Sequence, residues 1–167
     1  MSARPVDAAT FKSAMRHYPT GVTVVTSLRE GEPRGMTLNA FASVSAEPPT
    51  VLVCVNREAR SYLYIATSRI FCINLLAHEQ VELAHRFSGK TREHQFDDIG
   101  YDTAETGAPV LRGTIGYFDC AVTHEHHAGS HSIFIAEVVA CHTRAGAPLG
   151  YYNGAFADFG MRINDDI

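Results

Sequence analysis

Phe11, Ala14 and Met15 recur at helical spacing behind Asp7, a residue type that caps helix starts, which predicts a short first helix ended by Pro19. Residues 22–27 (VTVVTS) are dense in β-branched side chains and run into a polar turn over 29–33. That is the pattern of a strand entering a hairpin whose partner begins near Gly35. Residues 41–45 and 50–55 flank the breaker Glu47-Pro48-Pro49 and read as two more strands. Short helical patterns follow over 61–67 and 78–87, the second with an apolar face of Val81, Leu83, Ala84 and Phe87, and a strand over 70–75 separates them. The polar, glycine-bearing stretch 88–107 predicts a surface excursion with little regular structure. Strand character returns from Val110 through 114–127 and 132–140, and 154–167 is loosely patterned. Many short strands, few helices and frequent turns predict a mainly β fold in which an antiparallel sheet closes on itself and hides its edges.

The chain has 167 residues, which fits a single domain over 1–167. With 46% apolar and 19% charged residues it reads as a soluble globular protein. Fourteen Lys and Arg against eighteen Asp and Glu give a net charge of −4, which removes the electrostatic footprint expected of a partner for nucleic acid or anionic membrane. No apolar run approaches the roughly 20 residues of a membrane span, and the first residues lack a signal-peptide pattern. Cys54, Cys72, Cys120 and Cys141 are widely spaced without a CxxC, the usage of reduced core cysteines in a cytoplasmic protein.

Several segments could carry chemistry. Thr37, Asn39, Ser43 and Ser45 have odd numbers, so over an extended stretch they share one face and could offer donors to a flat heteroaromatic ligand, or form a solvated outer face. Ala40 and Ala42 are small enough for such a ligand to approach the backbone. Ser61 reads as a helix N-cap, and a helix start with Arg57 and Arg60 nearby suits a phosphate. Phe87-Ser88-Gly89-Lys90 offers a second anion site, without the GxxxxGK[ST] of a nucleotide-hydrolysing loop. His124, His126 and His131 could share a strand face and bind a metal, but no carboxylate or cysteine is spaced to complete the site, so no metal is expected. His131 follows Gly129-Ser130 at a strand entry, either lining a cleft or bonding within its hairpin. There is no GxSxG, HExxH or GxGxxG.

Taken in order, these pieces resemble the short-chain flavin reductases that serve two-component flavin-dependent monooxygenases. The resemblance rests on FKSAMRHYPTGVTVVT (11–26), GMTLNAFASVS (35–45), Pro48-Pro49 with VCVN (53–56), FCINLL (71–76), QVELAHRFSG (80–89), Gly129-Ser130-His131 and YYNGAF (151–156). It implies a Greek-key split β-barrel, a homodimer, and FMN or FAD held in a groove at the dimer interface. It further implies hydride transfer from NADH or NADPH, with reduced flavin passing to a separate monooxygenase. In family terms Thr37, Leu38, Asn39, Ala40, Ser43 and Val44 would lie along the isoalloxazine and ribityl chain, with Cys54 on the neighbouring strand. Asn56, Arg57 and Ser61 would meet the phosphate end, and Phe87, Ser88 and Lys90 would close over it. His131 would position the nicotinamide without acting as an essential acid or base, beside Tyr152 and Phe156. The family's common Gly-Asp-His is Gly-Ser-His here, and Ala40 stands where serine is common, departures that bear on the choice of nicotinamide and flavin. A non-catalytic flavin-binding electron carrier of the same barrel class is the alternative.

Overall fold

The computed structural model describes residues 4–89 and 94–159. Asp7 caps helix α1 (Ala8–Met15), its Oδ1 accepting the amides of Ala9 at 2.9 Å and Thr10 at 3.0 Å. The helix stops ahead of Pro19 and buries none of its residues, leaving Phe11 and Met15 exposed. Strands β1 (Thr20–Gly21), β2 (Thr23–Arg29), β3 (Glu32–Leu38), β4 (Phe41–Ala46) and β5 (Pro49–Asn56) follow. Next come helix α2 (Arg60–Ser68), β6 (Ile70–Leu75), a 3₁₀ turn (His78–Gln80) and helix α3 (Val81–Ser88). The chain continues through β7 (Tyr101–Thr103), β8 (Pro109–Leu111), β9 (Gly116–Ala128), β10 (His131–Thr143), β11 (Leu149–Tyr152) and β12 (Ala155–Asp158). The β2–β3 turn is tighter than the sequence predicts. Glu30 and Gly31 alone make it, both at positive φ (54° and 84°), the conformation that matches hairpin twist, so β3 already begins at Glu32.

Seven strands form one antiparallel sheet in the order β3-β2-β6-β9-β10-β5-β4. β3 and β4 are consecutive in the chain, joined only by Asn39 and Ala40, yet they occupy opposite edges, so the sheet must curl to bring its edges together. Single bonds secure the junction, Phe41 N–H to Asn39 O and Cys54 N–H to Ala40 O, each 3.0 Å. The result is the mainly β split barrel with short helices that the resemblance implies. The fully closed sheet expected from the strand pattern does not form, because no ladder joins β3 to β4.

β2 is buried on both faces, which is why its sequence is a continuous β-branched run. Val25 points into the barrel with Leu38, Val53, Phe71 and Phe134, where Ile65 of α2 plugs the interior. Val24 points out against Ala84 and Phe87 of α3, with Leu76 and Leu111. Burying Phe87 there contributes about 1.5–3 kcal/mol. Cys72 and Cys120 are core residues, and burial pushes both thiols well above the ordinary range; Cys141, by contrast, is exposed. No helix among the described residues is long and apolar enough to cross a membrane.

The stretch 88–107 is less irregular than predicted, since β7 lies within it and pairs with β8. Buried polar groups fasten this hairpin to the sheet. Asn74 Nδ2 donates to Val24 O at 3.0 Å while its Oδ1 accepts from Leu111 N–H at 2.7 Å, and Thr26 Oγ1 donates to Pro109 O at 2.5 Å. Asp119, fully buried, accepts both the amide and the hydroxyl of Thr106. Replacing Asn74 by Ala strands these partners away from water and is expected to cost about 2–4 kcal/mol in urea unfolding. A loss within about 0.5 kcal/mol would place the hairpin's anchorage elsewhere.

Candidate functional site

Gly35 lies on β3, an edge strand of the sheet, and three elements converge on it. Its carbonyl accepts from Ser61 Oγ of α2 at 3.2 Å, and its amide donates to Gln95 Oε1 at 3.4 Å. A Cβ at this position would stand 2.7 Å from Cδ1 and from Cε1 of Phe87, so only glycine lets α3 sit this close. Strand backbone groups alternate between the two edges, so the N–H and C=O of Thr37 face the same open side as those of Gly35. A groove follows that edge. Its first cavity, about 360 Å³, is lined by Gly35, Thr37, Asn56, Ser61, Phe87 and Ser88, with Arg34, Arg60 and Gln95. A second, about 260 Å³, shares Thr37 and Ser88 and continues past Leu38 and Asn39 to Tyr151 and Phe156. A third, about 370 Å³, shares Asn39 and runs on to Tyr18, Phe41 and Leu149.

The first cavity ends at the start of α2. Ala59 occupies the N-cap and supplies no side-chain acceptor, so the opening turn keeps its positive end available to an anion, with Arg60 beside it. Ser61 is therefore not the cap the sequence suggests. It sits inside the helix, buried, with its hydroxyl turned to Gly35. Asn56 Oδ1 instead holds the approach to the helix by accepting Glu58 N–H at 2.9 Å. Arg57 is directed away from the cavity: its Nη2 donates to Gly129 O at 2.7 Å and its amide to Ser130 O at 3.0 Å, tying the strand end to the β9–β10 turn.

The expected shared face of Thr37, Asn39, Ser43 and Ser45 does not exist, because the chain crosses from one sheet edge to the other at Asn39 and Ala40. Thr37 Oγ1 donates to Ala84 O of α3 at 2.6 Å, which leaves its lone pairs and its backbone to the groove. Asn39 Nδ2 donates to Thr20 Oγ1 at 3.1 Å. Ser43 and Val44 lie exposed on β4, across the sheet. Cys54 faces outward from β5 opposite Ile133, and burial pushes its thiol up, so it is a neutral group near pH 7. At the far end of the groove, Phe156 stands edge-on to His85 with centroids 5.0 Å apart, and Tyr151 is 6.0 Å from Phe156. Tyr152 points the other way, 6.4 Å from His17, so Tyr151 lines the groove in its place. Lys90 lies outside the described residues.

His131 opens β10 directly opposite Asn56, a lining residue of the first cavity, and is exposed, with Nδ1 2.9 Å from Ser130 Oγ. His124 and His126 share its sheet face, their rings parallel within 3° at 6.3 Å. Among the described residues no three His, Cys, Asp or Glu converge as a metal site. Gln95 and Arg34 also line the first cavity, though no motif singles either out. Gln95 sits in a polar stretch without periodicity, and its partner Gly35 is distant in the chain, so no local signal marked it.

The model of the flavin reductase like domain matches residues 15–160. The chain belongs to this family. This flavin reductase-like chain is 37% identical over 156 residues to the reductase component of 4-nitrophenol 4-monooxygenase/4-nitrocatechol 2-monooxygenase from Rhodococcus opacus, covering 93% of the chain and 83% of that protein. It is 37% identical over 153 residues to FMN reductase (NADH) SmoA of Agrobacterium fabrum, covering 92% and 87%. The solved structure of Streptomyces globisporus NADH:FAD oxidoreductase SgcE6 in complex with NAD and FAD fragments superposes with a TM-score of 0.88 at 32% identity, over 97% of this chain and all of that one.

The Gly35–Phe87 contact can be tested by stability alone. Gly35→Ala is expected to cost about 1–3 kcal/mol in urea unfolding, and Phe87→Leu in the same chain is expected to recover part of that loss. Strict additivity of the two substitutions would contradict the contact.

Proposed function

We propose that this chain is an NADH-dependent flavin reductase that hands reduced FMN or FAD to a separate monooxygenase. The observation that carries the reading is the open edge of β3, which leads from an uncapped helix start to an aromatic wall, in a chain of the flavin reductase-like family. A flavin has the matching parts: a phosphate, a polyhydroxylated chain and a flat ring with a hydrogen-bonding edge. Bound flavin supplies the redox chemistry, accepting a hydride from the nicotinamide. The protein's task is then to hold and align the two rings.

In this reading Asn56, Ser61, Arg60 and the first amides of α2 take the phosphate. Thr37, Phe87 and Ser88 line the ribityl chain. The backbone over 37–40 faces the ring's polar edge, where fixed N–H groups favour the negative charge that reduction brings. Tyr151 and Phe156 wall the ring, and His131 positions the nicotinamide. We further assign a second copy of the chain as partner. Ile133 and Ile135 of β10 stand beside Cys54 and Leu52 of β5 on an outer sheet face, and Val44, Phe11 and Met15 are half or more exposed or nearly so (51%, 60% and 48%), apolar surface that a homodimer would cover. A cytoplasmic setting accords with the reduced cysteines.

Loss of NADH absorbance by the purified protein, with and without FMN, FAD and riboflavin and with NADPH as control, tests the reading. Turnover that rises with added flavin is expected; tight flavin binding without turnover would make the chain a carrier instead. His131→Ala is expected to raise KM for NADH roughly 3–10-fold with flavin affinity nearly unchanged. Equal loss of both, or of neither, would remove the nicotinamide role.

A further inference from the structure

Gln95, from the turn between α3 and β7, lines the first cavity and is only 4% exposed. Its backbone is clamped: Arg86 Nε donates to Gln95 O at 2.8 Å, and Arg86 Nη2 donates to Asp97 O. Next to it, Phe96 packs edge-on against Phe87 at 5.2 Å and Tyr101 at 5.4 Å, so the turn is held from both sides. The side chain's orientation follows from its partner. Gly35 N–H can only donate, so the amide oxygen must face Gly35. That leaves the NH₂ group, two donors with no protein partner among the described residues, on the cavity side of a side chain otherwise sealed from water. Facing the cavity, that NH₂ group is placed to exchange water for the oxygen of a ligand.

The position of those donors indicates what completes them. Gln95 and Ser61 bracket the same residue, one on the amide of Gly35 and the other on its carbonyl, so Gln95 reaches the cavity beside the start of α2. Arg34 and Arg60 line that same cavity, and Gln95 does not line the one that continues past Asn39. We infer that Gln95 donates through Nε2 to the phosphate of the bound flavin, an inference that rests on the flavin reading above. Gln95 thus has two separable tasks: its oxygen braces the Gly35 edge, and its nitrogen recognises the anion.

Two substitutions separate these tasks, read by fluorescence titration with FMN and with riboflavin, which lacks the phosphate. Gln95→Glu keeps the acceptor for Gly35 and replaces the donors with negative charge; Kd for FMN is expected to rise at least tenfold and Kd for riboflavin less than threefold. Gln95→Lys keeps a donor, adds positive charge and loses the acceptor; FMN affinity is expected to improve relative to riboflavin. A silent Glu variant, or a loss common to both flavins in either variant, would overturn the phosphate role and leave Gln95 a brace. Should the Glu variant fail to fold, the FMN-to-riboflavin ratio of the Lys variant decides alone: raised, it supports the role; unchanged, it overturns it. Wild-type protein that binds neither flavin would defeat the flavin reading itself, whereas tight wild-type FMN binding with a silent Glu variant defeats only this assignment.

Discussion

The absence of a side chain at Gly35 is the constraint on which the groove depends. The Phe87 ring lies where a Cβ would be, and this lets α3 press against β3 with Ala84 and Phe87 buried beneath it. The same residue's carbonyl and amide then tie in the start of α2 and the turn at Gln95. One small residue therefore sets the spacing of three elements, and the cavity is the space left between them. A methyl group here would disturb packing and binding geometry together, because interiors are close-packed and do not absorb such a shift locally.

A second constraint is topological. Two residues join strands that lie at opposite edges, so the sheet curls, yet no ladder joins β3 to β4 and β3 keeps an edge without a strand partner. Exposed edges invite unwanted pairing. Here α3 covers one part of that edge, Ser61 and Gln95 occupy its Gly35 groups, and the stretch around Thr37 stays open to the groove. Binding a flat heterocycle by backbone groups needs no titrating side chain, which accords with a reaction whose chemistry resides in its cofactors.

Much of this was legible in the chain. Continuous β-branched runs marked the doubly buried β2, Asp7 marked the start of α1, and the ordered motifs from 11 to 156 pointed to the flavin reductases that the family match supports. Local patterns failed where tertiary contacts decide. Odd numbering suggested one polar face over 37–45, but the chain changes sheet edges at Asn39. Ser61 has the residue type of a cap, yet Ala59 takes the cap position and Ser61 turns inward to Gly35. Arg57 has the charge for a phosphate, yet the β9–β10 turn claims it. Gln95 bears no motif, and its role follows only from which atom of Gly35 it meets.

The central claim is that the open edge of β3 and the start of α2 together receive a flavin. Amide hydrogen exchange of the whole chain, measured with and without FMN, tests it directly. The account predicts slowed exchange at Thr37 and at the first amides of α2, with little change in the β9–β10 hairpin beyond His131. Protection confined to that hairpin, or an unchanged β3 edge at saturating FMN, would contradict it.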